Sequence, residues 1–135
     1  MVRDELNIEL RNNAADLYSC RKLTRQAALK MGFAGDDLWS IISAVFEACA
    51  NALTHGANNG AASVHLHIRP HPDKFEAVVT DSGKGFSCPD NTPIPSPSSH
   101  RGRGIPLMRE FMDEVAFERN GGMKVKLVKY LREKG

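Results

Sequence analysis

The first regular signal in the chain is an alternation. Leu6, Ile8 and Leu10 are separated by Asn7 and Glu9, which predicts a short strand with one buried face. The period then lengthens. Leu17, Cys20, Thr24, Ala27 and Met31 recur at helical spacing. Asn12 or Asn13 is placed to cap this helix, because a side-chain carbonyl can accept from the first free amides, and Gly32 is placed to end it. A second helix is expected after Gly35 with Asp36 as its cap. It carries Leu38, Ile41, Ile42, Val45, Cys49, Ala52 and Leu53 on one face, with Gly56 as its stop and Asn58-Asn59-Gly60 as the turn. Ser63 to Arg69 alternates again and Phe75 to Thr80 is apolar, so the two form a hairpin through Pro70-His71-Pro72-Asp73.

From Ser82 to Gly104 the periodicity disappears. Serines, glycines and Pro89, Pro93, Pro95 and Pro97 fill the segment, which predicts a long loop. Loops of that length in small domains tend to carry function. A short helix over Ile105 to Met112 follows. Val115 to Phe117 and Val125 to Leu131 then close a last hairpin around Asn120-Gly121-Gly122. The order β-α-α-β-β-loop-α-β-β predicts an α+β fold: a two-layer sandwich, a mainly antiparallel mixed sheet with helices on one face.

Composition narrows the setting. A length of 135 residues suits a single domain over 1–135, and 41% hydrophobic with 25% charged residues is ordinary globular usage. A net charge of +2 from 18 basic and 16 acidic residues argues against nucleic acid or an anionic membrane as the main partner. No apolar run approaches the roughly 20 residues needed to cross a bilayer, and Met1 to Leu10 lacks the pattern of a secretory signal. Cys20, Cys49 and Cys88 are odd in number and form no CxxC pair, which predicts reduced thiols in a cytoplasmic protein. His65, His67 and His71 have no second ligand cluster to make a metal site. Trp39 is expected in core or interface packing. The lysines at 124, 126 and 129 read as the wet face of an edge strand.

Three features carry candidate chemistry. On the second helix Glu47, Asn51 and His55 stack at i, i+4, i+8, roughly opposite the apolar face. A solvated polar face is the plain alternative. Yet Lys and Arg are absent from this helix, and Ala44, Ala48 and Ala50 are small enough to leave room for something bound. Asp81-Ser82-Gly83-Lys84-Gly85 follows an apolar strand. A carboxylate there can accept from an exocyclic amine, and the glycines let the backbone approach a flat ring. Gly102-Arg103-Gly104-Ile105 opens a helix, where glycine amides favour an anion. Plain turn chemistry is the alternative for both glycine segments.

Taken in order, FEACANALTHGA, VTDSGKGF and GRGIPLMREFMDEVAF resemble the GHKL ATP-binding superfamily, and within it the small anti-sigma regulatory serine kinases of bacteria. The resemblance spans nearly the whole chain. It implies ATP and Mg²⁺ as cofactors, with Asn51 as the magnesium ligand and Glu47 as general base. It implies that Asp81 binds the adenine amine, and that Gly83 and Gly85 pass close to the base. Arg101, Gly102, Arg103, Gly104 and Ile105 would meet the phosphates, and a lid over about 86–101 would close on them. The implied partners are an anti-anti-sigma protein of the STAS type and a sigma factor, with a homodimer as the implied assembly.

Two positions depart from the family pattern. A threonine usually follows the last hairpin glycines and supports the adenine-binding aspartate; here Met123 follows Gly121-Gly122. The lid segment is also unusually proline-rich. These departures motivate an alternative, a nucleotide-gated binding module that transfers no phosphate; neither removes the expected metal ligand Asn51 or base Glu47, so the kinase reading leads. A catalytic subdomain of a sensor histidine kinase is a third option, set aside because no helical hairpin with a phosphoacceptor histidine is present.

Overall fold

The computed structural model describes residues 5–11, 14–58, 64–81, 104–119 and 123–131. Eight elements follow one another: β1 (Leu6–Leu10), α1 (Ala14–Met31), α2 (Gly35–Asn58), β2 (Val64–Pro70), β3 (Lys74–Asp81), α3 (Gly104–Phe111), β4 (Glu114–Arg119) and β5 (Met123–Tyr130). This is the expected order, and the α+β two-layer architecture is the one the pattern predicts. The sheet runs β1-β2-β3-β5-β4, and all four of its pairings are antiparallel among the described strands.

Register decides what lies beneath the helices. Leu66 pairs with Val79 and Ile68 with Ala77; Ala77 pairs with Leu127 and Val79 with Val125. Because side chains alternate across a strand, these rows form one apolar face, and all six side chains are buried. The other face carries His65, Arg69, Lys124 and Lys126, all exposed. Helix α2 packs against α1, α3, β2, β3 and β5, so it is the central member of the helical layer. Phe33 and Phe75 meet edge to face with ring centroids 6.4 Å apart.

Local chemistry explains the helix ends. Asp16 in the first turn of α1 accepts the Arg11 backbone N–H at 2.7 Å, and its charge suits the positive end of the helix dipole. At the other end Gly32 N–H donates to the Leu29 carbonyl at 3.0 Å, and Phe33 N–H to the Ala28 carbonyl at 3.1 Å. That pair of bonds is a Schellman motif, and it needs the left-handed residue that Gly32 supplies at φ 107°. Gly35 has φ 58° where α2 begins, so the turn is made one residue before the Asp36 expected as cap, and Asp36 sits within the first turn. At its far end α2 continues past Gly56 to Asn58. A single glycine costs a helix only about 1 kcal/mol, too little to stop one. Residues 12 and 13, 59–63, 82–103 and 120–122, on which the other caps and turns fall, lie outside the described residues.

Two expectations about side chains are corrected. Strand β5 is not an edge strand: it lies between β3 and β4, and the edges are β1 and β4. Lys124 and Lys126 are exposed as expected, but Lys129 is 7% exposed. It pairs with Phe75 on the helix-facing side, where its ammonium donates to the Phe111 carbonyl at 2.7 Å and lies 3.7 Å from the Asp37 carboxylate. It therefore caps the last turn of α3 and ties that turn to α2. Trp39 is 58% exposed, so it is not a core residue.

Candidate functional site

Helix α2 sorts its residues by angle. Ile41, Val45, Cys49 and Leu53 are buried toward the sheet and α1 layer, while Glu47 and Asn51 are half-buried one turn apart on another face. Ala44 and Ala48 lie between these faces and are buried in the core cluster. The space expected beside the polar stripe is therefore taken up by packing at these two alanines, whose size lets α2 and its neighbours approach closely. Ala50 alone of the three stays half-buried. The backbone of His55 lies in α2.

Asp81 is the last residue of β3 and is only 3% exposed. The alternation of the strand explains that burial. Phe75, Ala77, Val79 and Asp81 follow one another at period two, and the first three are fully buried beneath the helices. Asp81 thus ends the apolar row, on the face over which α2 packs. Of the segment that binds an anion in the sequence reading, Gly104 and Ile105 open α3, which packs against α2. Gly83, Gly85, Arg101, Gly102, Arg103 and the lid over 86–101 lie outside the described residues.

Among the buried polar atoms, one on α2 bears on the site. The Asn51 Nδ2 is buried and has no hydrogen-bond partner among the described residues. A buried amide donor left in that state costs roughly 1–3 kcal/mol, which the described residues do not recover. The neighbouring carbonyl oxygen belongs to the same side chain, so a polar ligand seated on Asn51 would resolve the imbalance. Nothing in the sequence distinguishes this amide from a solvated one. The site residues present fit a polyphosphate nucleotide with a hard divalent ion: oxygen donors at Glu47 and Asn51, and a buried carboxylate at a strand end for an amine.

The other side of the sheet holds a groove of about 320 Å³ lined by His65, His67, Arg69, Lys124 and Lys126 among others. His65 and His67 share that face as expected, with ring centroids 6.4 Å apart. His67 bonds Glu5 at 2.7 Å and His71 bonds Glu76 at 2.8 Å. Among the described residues no group of three or more His, Cys, Asp or Glu is placed to hold a metal ion.

Comparison with known proteins decides which kind of fold this is. Residues 10–129 match the histidine kinase-like ATPase domain. The chain belongs to that family. Among its curated relatives is the serine-protein kinase RsbW of Bacillus licheniformis, 34% identical over 115 residues, which are 77% of this chain and 71% of that protein. The RsbW of Bacillus velezensis is likewise 34% identical, over 116 residues with the same shares. That of Bacillus subtilis is 31% identical over 116 residues, again 77% of this chain and 71% of the relative. Membership of the histidine kinase-like ATPase family implies use of ATP, and it accounts for an open antiparallel sheet roofed by helices. No helix among the described residues is long and apolar enough to cross a membrane.

Proposed function

We propose that this chain is an ATP-dependent serine-protein kinase and anti-sigma factor. It phosphorylates a small anti-anti-sigma partner of the STAS type and sequesters a sigma factor, so that phosphorylation of the first sets how much of the second is free. The observation that carries the reading is the half-buried Glu47–Asn51 pair on α2, whose Asn51 amide lacks a partner among the described residues, over the sheet face on which Asp81 is buried at the end of β3. The relatives named serine-protein kinase support it.

Each residue has a task. The Asn51 carbonyl oxygen ligates Mg²⁺, while its amide donates to a phosphate oxygen or an ordered water. Glu47, one turn away, orients the partner's serine hydroxyl and accepts its proton during in-line attack. Asp81 accepts from the adenine amine, and Gly83 and Gly85 let the backbone lie against the ring. Gly102, Gly104 and Ile105 present amides to the phosphates, and Arg101 and Arg103 add charge. A magnesium ion held at Asn51 would supply positive charge to neutralise the phosphates. The segment 86–101 closes over the nucleotide. A homodimer and a cytoplasmic setting belong to the same reading.

The test is transfer of labelled phosphate from ATP to a serine of the STAS partner. Glu47→Ala is expected to lower the rate by about 10²–10⁴-fold and leave ATP binding intact. Met123, which opens β5 opposite Arg119, supports the second reading, a nucleotide-gated binding module. In that case Glu47→Ala leaves partner exchange unchanged and no phosphoserine forms with the natural chain.

A further inference from the structure

Two of the cysteines meet in the core. Cys20 lies on the buried face of α1 and Cys49 on that of α2, and both are 0% exposed. They are free thiols, and the Cys20 Sγ–H donates to the Cys49 Sγ across 3.6 Å. Each belongs to the core cluster, and neither is among the residues assigned to the nucleotide site. A disulfide has an S–S length near 2.04 Å, so closing the pair requires an approach of roughly 1.5 Å. Rotation of two short side chains with a small shift of α1 against α2 is on that scale.

We infer that Cys20 and Cys49 are an oxidation site, in which a hydroperoxide converts the buried thiol pair to an internal disulfide stapling α1 to α2. Cys20 is the attacking sulfur. The Cys49 thiol, by donating to an ionised Cys20, holds Cys20 below the ordinary thiol range despite its burial, and the Thr24 hydroxyl and the charge of Arg21 act in the same direction. Cys49 is pushed well up, by the hydrogen bond it would surrender and by its burial, so it stays a thiol. In the first step the Cys20 thiolate attacks the terminal peroxide oxygen. The O–O bond breaks, the leaving oxygen takes a proton, and Cys20 becomes a sulfenic acid. In the second step the Cys49 sulfur attacks the Cys20 sulfur and gives up its proton. The S–O bond breaks and water leaves. The two thiols lose two protons and two electrons, and hydrogen peroxide takes them up to become two waters.

Burial shapes the kinetics and the product. Peroxide reaches the pair only when α1 and α2 part locally, so oxidation is slower than at an exposed thiol. Once formed, the bridge is shielded from reductants by the same packing, and it restrains the unfolded chain over the span from residue 20 to residue 49.

The test treats the full-length Cys88→Ser chain with hydrogen peroxide, followed by peptide mapping without reduction. The expected result is one peptide pair joined through Cys20 and Cys49, reversible by dithiothreitol, in a monomolecular product whose melting temperature exceeds that of the reduced protein. If Cys88→Ser does not fold, the natural chain is mapped instead, since the joined peptides distinguish a Cys20–Cys49 bridge from one to Cys88. Recovery of both thiols unchanged, Cys20 as a sulfinic acid with Cys49 free, or a bridge between chains would overturn the proposal.

Discussion

At the scale of single residues, Asn51 links structure to function through an imbalance. Its buried amide lacks a partner among the described residues and, on the proposed function, gains one from the nucleotide. Asn51→Ala removes the orphaned donor and improves helix propensity, so the nucleotide-free protein should melt at the same temperature or slightly higher. Calorimetry with Mg-ATP should meanwhile show binding lost. A fall in stability together with intact binding would mean that the amide serves the fold. The placement of Glu47 and Asn51 one turn apart on a helix and of Asp81 at a strand end was legible in the sequence, because helical spacing and a strand-end carboxylate leave a signature in residue type. The Asn51 imbalance was not, since it depends on what fails to approach the side chain. The contact of Cys20 with Cys49 was equally hidden: the residues lie on separate stripes, and only the packing of α1 on α2 brings them together.

At the scale of elements, periodicity gave every strand and helix to within a few residues, and the errors have physical causes. Gly56 did not end α2, because tertiary packing outweighs the propensity of one residue. Lys129 was misread because its alternation with apolar neighbours resembles a solvated face, whereas the closing strand is interior and its lysine reaches a helix end. Lys129→Met keeps the aliphatic stem and leaves the Phe111 carbonyl and Asp37 without their partner. It should cost about 1–3 kcal/mol in urea unfolding, with α3 the first element to lose hydrogen-exchange protection. Strands β4 and β5 are also joined by the Tyr130 hydroxyl donating to the Glu114 carboxylate. That bond, and the acidic groups around it, raise the tyrosine above its ordinary value of 10.0. The group is raised, so its contribution is fully present below that ordinary value and is lost as pH climbs through the folded one. Tyr130→Phe should therefore lower stability slightly through the neutral region and flatten the alkaline limb of a stability–pH profile, so that the two proteins converge at high pH.

At the scale of the whole molecule, α2 touches every layer, so a ligand held on its polar face reports to the entire core. Mg-ATP at a hundred times its dissociation constant should stabilise the fold by about 2.7 kcal/mol. A single melting transition should move up by several degrees, and Asn51→Ala should abolish the shift. Two separate transitions would contradict one domain over 1–135. The antiparallel sheet and its helical roof were readable because β-hairpin and helix periods follow one another plainly. The strand order was not, because no local signal says that the last strand slots between its predecessors.

That order fixes when the sheet can exist. Of the described elements a ribosome releases β5 last, yet β5 is the only described neighbour of β4 and pairs with the second edge of β3. A premature stop before Met123 therefore costs two strands rather than one, and leaves β3 with a bare edge on which other chains can add. All seven other described elements must emerge before the platform can close.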